Sequence, residues 1–185
     1  MHLDILTKRD VYNFMEWRDV GASDDYRVSQ FLLATFALTT AIRRPELVNT
    51  AERVQELNDV CSRRASGVVR LLEIGHRIVG TYALMRPNTK ECLAWIEGAA
   101  YLRAVAIASD FQGIKLTDSL MADAIRVAQE WNVTRICLHV IQGSEGLARL
   151  YQRYGFQADS SGDQFGKGFD LNGFQMGIDA KRELA

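Results

Sequence analysis

The side chains able to do chemistry gather at two places, a turn around Gln112 and a short helix around Tyr151. The turn reads Ala108-Ser109-Asp110-Phe111-Gln112-Gly113-Ile114-Lys115, between an apolar stretch and an amphipathic one. A helix starting there leaves its first backbone N–H groups without intrahelical acceptors, so the turn can bind an anion such as a phosphate. Lys115 falls in the first helical turn, where a cation opposes the positive end of the dipole. A bound phosphate would reverse that penalty; a surface lysine pointing to water is the equal alternative. Tyr151 is a phenol with an ordinary pKa of about 10, a poor base but a usable acid toward a thiolate leaving group. Without further context it reads more readily as an amphipathic core tyrosine in a short helix. Glu73, Glu97 and His139 could take a proton, and imidazole titrates nearest to neutrality. A lone strand histidine is more often structural. No carboxylate occupies Tyr101–Ile107, which excludes a carboxylate base from the middle of that stretch. Cys137 lacks a histidine at a defined partner spacing and reads as a small buried hydrophobe.

These residues are positioned by the stretch from Tyr101 to Tyr154. Tyr101–Ile107 is apolar except for Arg103, which suits a mostly buried strand. Leu116, Leu120, Met121, Ala124, Ile125, Ala128 and Trp131 recur at three- and four-residue steps, the stripe of a helix packed on a sheet. Ile136–Val140 returns as a strand, so the spacing predicts a parallel βαβ unit. Upstream, Leu3–Leu6 could open a strand. Thr7 and Asp10 start a helix that carries Val11, Phe14 and Met15, extends over Arg18 and ends at Gly21. Ser23, Asp24 and Asp25 start a second helix, and Asn49 with Glu52 opens a third that runs to about Ser62. From Gly67 the period becomes two. Val68–Ile74 and Arg77–Met85 form a hairpin about Gly75-His76, and Gly80 marks a bulge or a close approach to the backbone. Cys92–Ile96 is a strand edge or a core-facing loop. Gln157–Lys167 is a mobile loop or wide hairpin turn, and Gly173–Ile178 is the last strand. The order describes one α/β domain over residues 1–185 with a mixed sheet.

The 185 residues can build one sizeable core, and 48% of them are apolar. With 23 acidic and 22 basic residues the net charge is -1, and nothing advertises a nucleic-acid groove. Cys61, Cys92 and Cys137 are widely spaced, odd in number and form no CxxC. They read as reduced thiols in a cytoplasmic protein, with no metal site. No apolar stretch approaches the length of a membrane span.

Two motifs together resemble the GNAT superfamily of N-acyltransferases. Gln112-Gly113 matches the opening of that family's coenzyme A turn (Gln or Arg, x, x, Gly, x, Gly or Ala), with Lys115 in place of the central glycine and Thr117 in place of the small last residue. Leu150-Tyr151, three residues, then Gly155-Phe156 matches the second signature, where Ser144 replaces an asparagine and Leu147 an alanine. The resemblance covers about residues 68–178. It implies a GNAT-like domain whose mixed central sheet carries helices on both faces and whose fourth and fifth strands splay apart. Residues 1–66 would be the variable, largely helical acceptor side and 67–180 the acyl-CoA-binding core. The pantetheine arm would pair with main-chain groups of Val105 and Ile107, while Gln112, Gly113 and Lys115 would cradle the pyrophosphate. Tyr151 would sit beside the thioester sulfur, a role that Tyr154 has no motif to support.

The activity so implied is N-acetyl transfer from acetyl-CoA to a primary amine by direct attack. The alternative is a non-catalytic module that kept the fold while its phosphate turn drifted. Asp24, Asp25, Glu46, Glu52 and Glu56 could line a pocket for a cationic amine, or serve as helix-start acids. In the final strand Phe174, Met176 and Ile178 alternate with Gly173, Gln175 and Gly177. That leaves one face bare and suggests a homodimer through the C-terminal strand.

Overall fold

The computed structural model describes residues 17–43, 51–112, 115–165 and 170–178. The opening strand Leu3–Leu6 and the helix start at Thr7 lie outside them. Strands and helices follow in the order β1 (Trp17–Asp19), α1 (Asp25–Arg43), α2 (Ala51–Asn58), α3 (Val60–Ser66), β2 (Gly67–Ile74), β3 (Arg77–Met85), β4 (Ala100–Ile107), α4 (Leu116–Glu130), β5 (Arg135–Ile141), α5 (Glu145–Arg153), β6 (Gln157–Ala158) and β7 (Leu171–Gly177). The strands form one mixed seven-stranded sheet in the order β1-β2-β3-β4-β5-β7-β6. β4 and β5 are parallel, with Ala100 opposite Ile136 and Tyr101 opposite Cys137. The expected βαβ unit is present, with α4 as its crossover helix.

The chain packs as two compact units. One comprises Met1–Cys61, Val69–Tyr82 and Ala104–Leu120; the other comprises Ser62–Val68, Ala83–Arg103 and Met121–Ala185. In the first, Leu72, Val79 and Leu116 form a buried cluster against which Trp17, Ile74, Ile107 and Phe111 pack. In the second, Leu84, Met85, Leu102, Met121, Ala124, Ile136, Phe156 and Phe174 are buried. Each large side chain removed from water in this way contributes about 1.5–3 kcal/mol before entropy is charged against it.

The sequence misplaces the element at Trp17–Asp19. The helix expected to run to Gly21 is, at Trp17–Asp19, a strand paired antiparallel with Leu72, Leu71 and Arg70 of β2. Its reason is tertiary. The Trp17 ring lies 5.4 Å from that of Tyr82, its Nε1 donates to Ser119 Oγ at 2.9 Å, and Val20 N donates to Val69 O at 2.8 Å. Gly80 answers to the same ring. The β3 strand runs through it without interruption, and a Cβ there would stand 3.1 Å from Trp17. The glycine marks a close approach, not a bulge.

The last strand is also differently placed. β7 lies inside the sheet, flanked by β5 from Arg135↔Gly177 to Ile141↔Leu171 and by β6 at Gln157 and Ala158. A Cβ on Gly173 would fall 2.7 Å from Asp159 O and 2.8 Å from Gly162. The bare face is covered there by the turn around residues 159–162 of the same chain. That stretch is a short strand antiparallel to β7, a 3-10 turn over Ser160–Gly162 and a bridge from Gln164 to Leu171, the wide hairpin of its two expected readings. Cys92–Ile96 is loop, as one of its two readings had it.

Candidate active site

The turn that ends at Gln112 belongs to the first unit. β4 does not run straight into it, because Ala104 sits at φ 52, a left-handed residue that breaks the strand's pleat. Val105 and Ile107 follow, both partly exposed. Ala108 N donates to Val79 O at 2.9 Å, and Phe111 N to Ala108 O at 2.9 Å, closing a 3-10 turn over Ser109–Phe111. Arg77 braces this turn from β3. Its two terminal nitrogens donate to the two oxygens of Asp110 at 2.6 and 2.8 Å, and its guanidinium lies 5.5 Å over the Phe111 ring. Bonding to Arg77 holds the Asp110 carboxyl below its ordinary pKa. Both side chains are about half exposed, so the bridge orients the turn more than it stabilises the fold.

Gln112 is exposed at the end of the turn, and Gly113 lies outside the described residues. Lys115 corrects the sequence reading. It is not in the first helical turn; α4 starts at Leu116, and Lys115 precedes it at φ 60. Its carbonyl accepts from Asp118 N at 3.0 Å. The family pattern has glycine here, the residue that takes positive φ without a Cβ clash. Lysine takes the same region at a cost of about 1–2 kcal/mol, so the backbone shape survives the substitution. The amides of Leu116 and Thr117 stand in the first turn of α4 and have no intrahelical acceptors.

Tyr151 belongs to the second unit. It lies in the last turn of α5 and is only 5% exposed, packed edge-on to Phe156 with ring centroids 5.6 Å apart. Gly155, at φ 95, turns the chain so that Phe156 N can donate to Tyr151 O at 3.2 Å. Leu150-Tyr151 and Gly155-Phe156 are therefore one local structure, a helix end folded back on itself. Burial pushes the Tyr151 phenol well above its ordinary pKa, so it stays protonated at neutral pH and is a weaker acid than an exposed tyrosine.

The candidate bases separate clearly. Glu73 accepts from Arg18 Nε and Nη2 at 3.0 and 2.8 Å and from Arg27 Nη2 at 2.7 Å. These two guanidiniums outweigh its burial and hold its pKa below the ordinary value, which makes it an ion-pair partner and a poor base. Asp24 belongs to the same cluster, taking both terminal nitrogens of Arg18 at 2.8 and 3.0 Å, and is not part of an open amine pocket. Of the other acids considered for that pocket, Glu46 and the side chain of Glu52 lie outside the described residues. Glu97 is exposed in the turn before β4. Cys137 is fully buried, and desolvation pushes its thiol up to about 11, against a covalent relay. Among the described residues no group of His, Cys, Asp or Glu could hold a metal ion, and no helix is long and apolar enough to cross a membrane.

His139 is the candidate base with a built surrounding. Its Nε2 lies 2.7 Å from Gly162 O, and its Nδ1 lies 2.7 Å from the Tyr101 hydroxyl. The Trp95 ring packs 5.1 Å away, held by an indole N–H donating to Asp159 Oδ2 at 3.0 Å. Asp159 in turn accepts from Ser161 N and Oγ at 3.1 and 2.6 Å. Desolvation holds the imidazole below its ordinary pKa, opposed by the Gly162 bond and by Asp163. Tyr101, Trp95, Asp159 and Gly162 were not picked out from sequence. Strand alternation could have put Tyr101 and His139 on one face, but only the β4–β5 register shows that they meet.

An open mixed sheet with a short parallel β4–β5 ladder, an amide-bearing turn after β4 and a buried phenol after β5 define an acyltransferase-type fold. The family model for the acetyltransferase (GNAT) family matches residues 34–156, and the chain belongs to that family. No protein of curated function matches the sequence. Solved structures similar to it include an acetyltransferase of the GNAT family from Staphylococcus aureus Mu50, 18% identical with a TM-score of 0.69, covering 89% of this chain and 99% of that one. A spermidine N-acetyltransferase from Vibrio cholerae, solved with CoA and spermine, is 16% identical over 90% of this chain and 96% of its own, with a TM-score of 0.60. A GNAT family acetyltransferase from Elizabethkingia anophelis with acetyl-CoA bound is 17% identical, covers 90% and 99%, and has a TM-score of 0.58.

Proposed function

We propose that the protein transfers the acetyl group of acetyl-CoA to a primary amine by direct attack of the amine on the thioester. The observation that carries this is the match to the acetyltransferase (GNAT) family over residues 34–156, a span that includes both the turn ending at Gln112 and the buried Tyr151. In this reading the amides of Gln112, Gly113, Leu116 and Thr117 hold the pyrophosphate, with the Lys115 ammonium available as a partner. Main-chain groups of Val105 and Ile107 line the pantetheine. Orientation supplies most of the rate, and Tyr151 Oη gives its proton to the departing thiolate. The bound GNAT relatives and the spermine held by one of them support a CoA thioester and a polyamine-like acceptor as first ligands to test.

The alternative of a non-catalytic module rests on Lys115 and Thr117 in the turn and on Ser144 and Leu147 in the second signature. It is weakened because Lys115 takes the left-handed backbone that glycine would take there. Self-association through β7 is left out of this reading, since Gly173 is covered within its own chain. Three unpaired cysteines accord with a reducing, cytoplasmic setting. Calorimetric titration with acetyl-CoA and with free coenzyme A, followed by thiol release in the presence of spermine, tests the proposal. Absence of binding by both CoA ligands at millimolar concentration would sink it.

A further inference from the structure

We propose that Tyr101 and His139 form the proton-accepting relay of this transfer: Tyr101 Oη takes the proton from the attacking amine while its own proton passes to His139 Nδ1. This rests on the acetyl-transfer reading above and names the base that reading lacks.

The hydrogen bonds fix the direction of the relay. A carbonyl can only accept, so the 2.7 Å contact to Gly162 O requires the proton on His139 Nε2. Nδ1 of the neutral ring is then a lone pair, and the 2.7 Å contact from Tyr101 is an O–H donating to it. The ring is already in the tautomer that accepts a proton from Tyr101. Once Nδ1 is protonated, the Nε2–H bond to Gly162 becomes charge-assisted and stronger, and Asp163 favours the cation. Asp163 is itself anchored, accepting from Gly173 N at 2.8 Å. The other titratable groups around the pair are Asp159, bonded to the Trp95 indole, the Cys137 thiol, fully buried, and the Arg103–Glu91 ion pair at 3.0 Å. The imidazole's hydrogen bonds run to Tyr101 and to Gly162 O, and of these two the hydroxyl is the group that can pass it a proton.

Packing keeps this geometry narrow. Trp95 covers the imidazole, and a Cβ on Gly162 would lie 2.2 Å from the Trp95 ring. Only glycine lets that carbonyl reach His139 beneath the indole. Tyr101 is the last β4 residue in the parallel ladder with β5.

The step balances. The amine nitrogen forms the C–N bond and loses a proton to Tyr101 Oη, and the Tyr101 proton moves to His139 Nδ1. Collapse breaks the C–S bond, and the thiolate takes the proton of Tyr151. His139 then releases its proton to solvent and Tyr151 regains one, leaving amide and free thiol.

The test uses Tyr101→Phe and His139→Gln. The glutamine amide can still donate to Gly162 and accept from Tyr101, but it cannot carry a proton onward. Thiol release from saturating acetyl-CoA, with spermine as the acceptor probe, is followed from about pH 7 to about pH 10, where the amine sheds its own proton. The expected result is a kcat lower by about 100-fold at neutral pH in either variant, within the usual range for general base catalysis. The double variant should be no slower than the singles. The deficit should shrink toward the alkaline end, while calorimetry shows acetyl-CoA binding unchanged. Wild-type kcat at neutral pH, or a deficit that does not vary with pH, overturns the relay. Failure of the acetyl-transfer reading has a separate signature: the unaltered protein does not bind acetyl-CoA at all.

Discussion

Asp24→Asn probes the ion-pair cluster that fixes β1 on β2 and removes Glu73 from the list of bases. Asp24 is only 7% exposed, bonds both terminal nitrogens of Arg18 and accepts from Gly21 N at 3.0 Å. The Arg18 bonds lower its carboxyl from 3.8 to about 2. A depression of that size corresponds to about 2 kcal/mol of native-state stability at neutral pH. Because the folded-state pKa is the lower one, this stability is fully present above the unfolded pKa near 4 and is lost as pH falls through the folded value. By about pH 3 roughly half of it is gone. Asparagine keeps an oxygen for Gly21 N–H and cannot titrate, and Arg18 keeps Glu73 as a partner, so about 2 kcal/mol is the ceiling for the loss. Urea unfolding of both proteins at neutral pH, about pH 5 and about pH 3 reads it. The gap should be the same at the two higher values and close by about half at the lowest. A gap that ignores pH, or one under about 0.5 kcal/mol at neutral pH, would show that Arg18 is as well served by water as by Asp24.

Lys115→Gly relieves a left-handed lysine and should leave stability unchanged or raise it by up to about 1 kcal/mol, after the extra freedom of glycine in the unfolded chain is counted. Acetyl-CoA affinity by calorimetry should hold; a tenfold loss would assign the ammonium itself to phosphate. Tyr151→Phe should lower kcat by about 10–100-fold without changing acetyl-CoA binding, and an unaltered kcat in thiol-release assays would end its role as the acid. Gly162→Ala forces a Cβ to within 2.2 Å of the Trp95 ring and should cost about 1–3 kcal/mol in denaturant unfolding. An unaffected midpoint would mean that Trp95 moves aside freely. Sedimentation at two loading concentrations tests the homodimer: residues 159–162 cover Gly173 but leave Gly177 open, so a mass that rises with loading would support pairing at that end of β7, and one species of monomer mass at both would rule it out.

The amphipathic stripe of α4, the hairpin of β2 and β3, and the strand–turn–helix around Gln112 were legible in the sequence because each depends on local periodicity and on where glycine falls. The Tyr151 signature was legible through its resemblance to the GNAT pattern, and it is local in the fold too, since Gly155 and Phe156 close onto the helix end that carries the phenol, all within six residues. Contacts far apart in the chain were not. Trp17–Asp19 carries a helix-compatible pattern, yet it is a strand because β2, Tyr82 and Ser119 lie where it can pair and pack. Lys115 shows a subtler limit, since a residue type suggests a helical dihedral while the turn between β4 and α4 imposes φ 60. The same holds for His139. Alternation placed it on one face of a strand, but its tautomer, its neutral state and its link to Tyr101 depend on Gly162 and on the β4–β5 register. Hydrogen bonds between residues 23 and 38 positions apart are decided by packing, which a linear pattern does not encode.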